Sequence, residues 1–212
     1  MLDAPLRRVL DRPLSGLARL MDRPTVSPNR LTLLGLASGL ASAATAAGQQ
    51  WWWALGLWLF SRLMDGLDGP LARRRRATRG EPGTSRGSEA GGFLDITADF
   101  VVYGATVVGV AIGATRQYDA NWLPFLLVLL AYYVNGTAFL AFSSIAERTG
   151  RQREDGRSLS FLGGLTEGTE TIAAHSLWLV LPAHAAVIAT VWAAPVGVSA
   201  AQRVVAGFRD LS

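Results

Sequence analysis

Apolar residues run in long blocks along this chain, separated by short polar stretches. The blocks cover about 31–47, 51–65, 93–115, 122–146, 165–182 and 185–205. Blocks of this length predict helices that cross a bilayer, so the pattern calls for an all-α integral membrane protein with six spans. The first block is rich in Gly, Ala and Ser, a surface suited to close helix packing. Ser27-Pro28-Asn29 stands ahead of it as an N-cap, and a two-glutamine turn separates it from Trp51. Residues 1–30 differ: they carry six arginines and no long apolar core, which fits neither a signal peptide nor a span. Leu6, Val9, Leu10, Leu14, Leu17 and Met21 recur at helical spacing opposite Arg7, Arg8, Arg12 and Arg19. This predicts an amphipathic helix on an anionic membrane face, interrupted at Pro13; a basic topogenic tail is the other account. The division is thus an interfacial segment, 1–30, and a six-helix domain, 31–212.

Composition adds orientation. Half the residues are apolar, there is no cysteine, the net charge is +4, and all twenty basic residues are arginine. Without cysteine there is no disulfide framework and no thiol chemistry. Six spans put both termini on one side, together with nineteen of the twenty arginines; the opposite side holds only Arg116. The positive-inside rule makes the arginine-rich side cytoplasmic, in a multi-pass cell-membrane protein. Trp51 to Trp53, Trp122 and Trp178 then fall near the opposite interface.

Four carboxylates interrupt the apolar blocks. Asp65 and Asp68 close the second block, and Asp95 and Asp99 open the third. Spacings of three and four place each pair on one helical face. In an antiparallel hairpin, Asp65 lies eight residues before Arg73 and Asp99 eight after Gly91, each roughly 12 Å below the loop at about 1.5 Å per residue. Asp65 is then level with Asp99, and Asp68 with Asp95. Four converging carboxylates need cations, and two divalent ions would neutralise them. The ligands are all hard oxygens, which points to Mg²⁺ or Mn²⁺. Such a site suits phosphate chemistry. Gly66, Gly69 and Gly91 leave room for a nucleotide or diphosphate, and Arg73 is placed to meet a phosphate. Arg62, one turn before Asp65, is a candidate charge partner for it. An ordinary polar helix end would account for Asp95, but not for Asp65 or Asp99 well inside apolar sequence.

Asp65-x-x-Asp68-Gly69-x-x-Ala72-Arg73, followed by Gly91-x-x-x-Asp95-x-x-x-Asp99, resembles the signature of the CDP-alcohol phosphotransferases. These membrane enzymes move a phosphatidyl or related group from a CDP-linked donor to an alcohol and release CMP. The resemblance implies that Asp65, Asp68, Asp95 and Asp99 hold two metal ions and that Asp99 deprotonates the acceptor hydroxyl. It places Asp68, Gly69, Ala72, Arg73 and Gly91 at the nucleotide, with Asn29 from the Pro-Asn pair ahead of the first span. It also implies a homodimer. One departure is the seventeen residues between Arg73 and Gly91, longer than the family's usual separation. Rich in Arg, Gly, Ser and Pro, they predict an extended surface loop.

The expected donor is CDP-diacylglycerol. Arg148, Arg151, Arg153, Arg157 and Arg203 suit an anionic acceptor such as glycerol phosphate or inositol phosphate, although topology and lipid headgroups account for them equally. Glu167 and Glu170 open the fifth span: Thr166 as N-cap with acids in the first turn explains them, and entry into the acceptor pocket is the sharper reading. Asn135, Ser143 and Ser144 read as helix-to-helix hydrogen bonders, and His175 and His184 as packing or interfacial residues. Two alternatives stay open: transfer from a CDP-alcohol to diacylglycerol, and, in a different class, a divalent-cation transporter.

Overall fold

The computed structural model describes residues 13–23, 25–79, 86–149 and 168–212. Among them the chain is helical, with no strand. A helix at 13–21, α1, precedes α2 (Pro28–Ala47), α3 (Trp51–Arg79), α4 (Arg86–Tyr118), α5 (Leu123–Arg148), α6 (Gly168–Val180), a 3-10 turn (Pro182–His184) and α7 (Ala185–Leu211). Ser27 caps α2, its Oγ accepting from the Arg30 N–H at 3.3 Å, with Pro28 at the first helical position. Gln49, at φ 65°, turns the chain toward α3 in the left-handed region.

Three segments are long and apolar enough to cross a membrane: Glu89–Tyr118, Leu123–Arg148 and Pro182–Leu211. At 1.5 Å per residue each exceeds the roughly 30 Å of a hydrocarbon core. α2 packs against both α3 and α4, α5 against α7, and α6 joins the two groups by lying on α3. The small residues of α2 allow this. Gly35, Ser38, Gly39, Ser42, Ala43 and Ala46 are buried, and Ser42 Oγ donates to the Ala54 carbonyl of α3 at 2.7 Å. A Cβ on Gly109 or Gly113 of α4 would overlap the Ala43 or Ala46 carbonyl.

The main core occupies one end of the bundle. Trp58, Val107, Val110, Phe125, Val128 and Trp178 are buried in it. Leu14, Met21 and Ala18 of α1 pack on Met64, Leu67 and Leu71 of α3 in a smaller cluster. Asp22 then binds Arg74 Nε at 3.0 Å and Arg75 Nε at 2.9 Å, and these arginines hold its carboxyl below the usual carboxylate range. Residues 1–12 of the expected amphipathic segment lie outside the described residues.

The structure corrects three expectations. Much of the stretch between Arg73 and Gly91 is helix: α3 continues to Arg79 and α4 begins at Arg86. Arginine is a good helix former, and charge at the end of a span terminates burial without terminating the helix. Trp51 and Trp178 also pack into the core, Trp178 fully buried and Trp51 donating from Nε1 to Gln117 Oε1 at 2.6 Å, which leaves their expected depth unaltered. Trp52 and Trp53 are exposed, as interfacial anchors would be. Gly66 faces Leu14 of α1, away from the place a nucleotide was expected. Asn135 Oδ1 is buried with no hydrogen-bond partner, so that oxygen makes no bond between helices.

Candidate active site

The core leaves the other end of the bundle to polar groups. There the start of α2, the second half of α3 and the start of α4 meet. Asp65 lies within electrostatic reach of Asp99, Arg62, Asp95 and Asp68, with Asp99 its strongest carboxylate neighbour. Asp95 in turn feels Asp68 most strongly. This is the register expected of an antiparallel hairpin, in which helical spacing aims both pairs into one groove.

Two neighbours fix the carboxylates. Thr32 Oγ1, on α2, donates to Asp68 Oδ2 at 2.6 Å, and both residues are buried. Arg62 Nη1 donates to Asp99 Oδ1 at 2.6 Å and stands 3.8 Å from Asp65 Oδ2. The sequence pointed to Asp65 as the partner of Arg62; the shorter bond runs across to α4. The Asp65 and Asp99 side chains keep 28% and 34% exposure, so the cleft is open to solvent above a buried guanidinium.

The predicted nucleotide residues divide. Asn29 and Gly91 come together: a Cβ on Gly91 would stand 3.3 Å from Asn29 Oδ1. Gly69 gives Arg73 its place, since a Cβ there would come 3.2 Å from Arg73 Nη1. Arg73 lies on the flank of α3 and lines a cavity of about 500 Å³ between α1 and the side of α3 away from the carboxylates, along with Arg19 and Arg74. Ala72 is half-buried beside Asp65 and Asp68 on their face of α3.

Of the predicted acceptor residues, Arg148 is exposed at the end of α5, and Arg203 is buried on α7 with its guanidinium 5.6 Å from the Phe139 ring. Glu170 is in the first turn of α6. Arg151, Arg153, Arg157, Thr166 and Glu167 lie outside the described residues. His175 is a packing residue, fully buried between aromatic rings.

Among the described residues no three acidic or imidazole side chains form a ready-made metal cluster. The donor chemistry nevertheless fits hard divalent ions. Four carboxylates from two helices share one groove with a single guanidinium, which leaves an excess of negative charge. The Thr32 and Arg62 bonds each occupy one oxygen of a carboxylate.

Known proteins share this arrangement of helices and this sequence pattern. Residues 25–199 match the CDP-alcohol phosphatidyltransferase family. The chain belongs to that family. It is accordingly a transferase of substituted phosphate groups, and the cation-transporter alternative is displaced. Inner membrane protein YnjF of Escherichia coli K12 is 36% identical over 217 residues, covering 100% of this chain and 97% of that protein. Archaetidylinositol phosphate synthase of Pyrococcus horikoshii is 28% identical over 148 residues, 68% of this chain and 74% of that one. The crystal structure of Mycobacterium tuberculosis phosphatidylinositol phosphate synthase (PgsA1) with CDP-DAG bound shares the fold at a TM-score of 0.67 and 22% identity, covering 93% and 94% of the two chains.

Thr32 is the site residue that sequence reasoning missed. A signal was present, because Thr32 follows Asn29 by three residues and so shares its helical face.

Proposed function

We propose that this family member transfers a phosphatidyl group from CDP-diacylglycerol to a small phosphorylated alcohol, with release of CMP. The observation that carries the reading is the convergence of Asp65, Asp68, Asp95 and Asp99 at the open end of the α2, α3 and α4 group. The donor is supported by the CDP-DAG bound to PgsA1, whose fold this chain shares. Two relatives with a named reaction are both synthases of an inositol phosphate lipid, which favours a phosphorylated polyol acceptor over glycerol or serine. The apolar blocks support six spans, the arginine distribution supports a cytoplasmic cleft, and YnjF supports placement in a bacterial-type inner membrane. The family resemblance adds the homodimer.

In the reaction the acceptor hydroxyl oxygen attacks the phosphatidyl phosphorus, and the bond from phosphorus to the CMP oxygen breaks. Asp99 takes the hydroxyl proton through the carboxylate oxygen not bonded to Arg62. Asp65, Asp68, Asp95 and Asp99 would hold Mg²⁺ or Mn²⁺, two ions in all, which when bound supply positive charge to the diphosphate and to the departing CMP. Thr32 keeps Asp68 turned into the groove. Asn29 and Gly91 form one wall of the nucleotide cleft, with Ala72 on the carboxylate face of α3 and Gly69 leaving room for the Arg73 guanidinium. Arg148, Arg203 and the arginines at 151, 153 and 157 are the proposed anchors for the acceptor phosphate, and Glu167 is a further proposed acceptor-binding residue.

The test is CMP release by purified protein given CDP-diacylglycerol, Mg²⁺ and glycerol phosphate, inositol phosphate, inositol, serine or no acceptor. Release that depends on a phosphorylated acceptor and is abolished by chelator and by Asp99→Asn supports the reading. Donor binding without release from any acceptor would refute the chosen substrates, and absence of donor binding would refute the donor.

A further inference from the structure

The carboxylate cluster contains a cation that the family signature does not include. Arg62 lies one turn before Asp65 and is 8% exposed. Its guanidinium packs against two aromatic rings that meet edge-on, 5.1 Å from the Trp58 centroid and 4.9 Å from that of Tyr103. Nη1 donates to Asp99 Oδ1, while Nη2 donates to Ser61 Oγ at 3.1 Å, and Ser61 Oγ in turn donates to the Gly35 carbonyl of α2 at 2.7 Å. One side chain thus ties α2, α3 and α4 together directly beneath the open cleft.

The rings that grip Arg62 are themselves held. Trp58 is fully buried, donates from Nε1 to Ser176 Oγ of α6 at 3.1 Å, and stacks on His175 at 4.9 Å. Tyr103 meets His175 edge-on at 5.5 Å. His175 Nε2 shares a hydrogen bond with Tyr132 Oη of α5 at 2.9 Å, and that oxygen accepts from Trp192 Nε1 of α7 at 2.7 Å. An aromatic pedestal drawn from α3 to α7 therefore holds the guanidinium in one position. A guanidinium, with five N–H donors in a fixed plane, can rest on an aromatic face and still direct separate N–H groups at a carboxylate and a hydroxyl, a geometry that a compact lysine ammonium reproduces poorly.

We infer that Arg62 is a built-in cation of the carboxylate site, a positioning residue that fixes Asp99 and offsets part of the cluster's charge. This deepens the proposed function and rests on it for the role of Asp99. One oxygen of Asp99 is anchored from below, which leaves the other directed at the cleft. The same charge lets four acidic side chains fold next to one another and limits how much further positive charge the site requires. The sequence offers Arg62 only as a charge partner for Asp65; the bond to Asp99 and the aromatic rings against it come from the fold.

The test compares wild type, Arg62→Lys, Arg62→Met and the double variant Arg62→Met/Asp99→Asn in detergent. Thermal unfolding is measured in chelator and in Mg²⁺, and CMP release is measured beside it. Arg62→Met should unfold earlier in chelator, and Mg²⁺ should raise its Tm by about 3 °C or more beyond the rise seen in wild type. Its kcat should fall about 100-fold, with the KM for the CDP donor within about threefold of wild type, the pattern of a misplaced group in a formed binding site. Arg62→Lys should recover the chelator stability in part and kcat little. If Arg62→Met does not fold, the double variant, which removes both members of the pair, should fold; failure of both would overturn the pairing. A Mg²⁺-induced rise equal to that of wild type would overturn the charge role, and an unchanged kcat would overturn the positioning role. A wild type that releases no CMP would instead defeat the transferase reading, and the unfolding series would still decide whether Arg62 is the cation of the cluster.

Discussion

Replacing Thr32 with valine removes one hydroxyl and leaves the shape of the side chain nearly intact. That hydroxyl has one proton, and its two acceptors within reach are Asp68 Oδ2 at 2.6 Å and the Pro28 carbonyl at 3.2 Å. The shorter distance and the ionised acceptor assign the proton to Asp68. A hydrogen bond to a charged group contributes about 1.5–3 kcal/mol. Thr32 and Asp68 are 5% and 7% exposed, so water can replace little of it. Taking about 2 kcal/mol, whatever depends on Asp68 being ionised and turned into the groove should weaken about 30-fold. The assay is kcat/KM for CMP release as a function of Mg²⁺ concentration. Thr32→Val should need about 30-fold more Mg²⁺ to reach half its maximal rate, while Thr32→Ser should stay close to wild type. If Thr32→Val titrates with Mg²⁺ within twofold of wild type while folding normally, Thr32 does not orient Asp68, and the bond is only a local satisfaction of the hydroxyl.

Close packing of α2 on α4 predicts that Gly109→Val, whose Cβ would meet the Ala43 carbonyl, destabilises the bundle by about 1–3 kcal/mol. Gly104→Ala, with nothing within 4 Å of the new Cβ, should be neutral or stabilising by up to about 1 kcal/mol; equal Tm values for the two variants in detergent would refute the packing argument. Asp22 predicts a pH dependence at the membrane surface. Arg75 and Arg74 lower its folded-state pKa below the ordinary value of 3.8, so their pairing is fully present above that value and is lost as pH falls through the folded one. Proteolysis at residues 13–23 should thus be constant across neutral and mildly acidic pH and accelerate only in stronger acid. Asp22→Asn should accelerate it at neutral pH, and no acceleration would mean that the apolar contacts of α1 suffice.

What was legible in the sequence was local. The apolar blocks gave helices at 28–47, 51 onward, 123–148 and 185–211 close to where they stand, because burial in a bilayer or a bundle is written as uninterrupted apolar length. Ser27-Pro28 gave the start of α2 because capping depends on the adjacent backbone alone. Within each helix the spacing of the aspartates fixed which residues share a face, and the hairpin register followed from counting residues on either side of the turn. The helical continuation from Arg73 to Arg79 is not legible in the sequence, since polarity marks where a span leaves the membrane and says little about where hydrogen-bonded turns stop.

What only the tertiary structure decided was which group meets which across helices. Arg62 is three residues from Asp65, yet its 2.6 Å bond goes to Asp99, because the rings of Trp58 and Tyr103 turn the guanidinium toward α4. Thr32 reaches Asp68 thirty-six positions away only because the small residues of α2 let α3 approach. Trp178 fills the core while Trp52 and Trp53 face outward, a distinction that composition cannot make. Periodicity determines the faces of one helix, whereas the rotation and depth at which two helices meet depend on every side chain between them. The four aspartates could therefore be found by reading along the chain, and the residues that aim them could be found only by folding it.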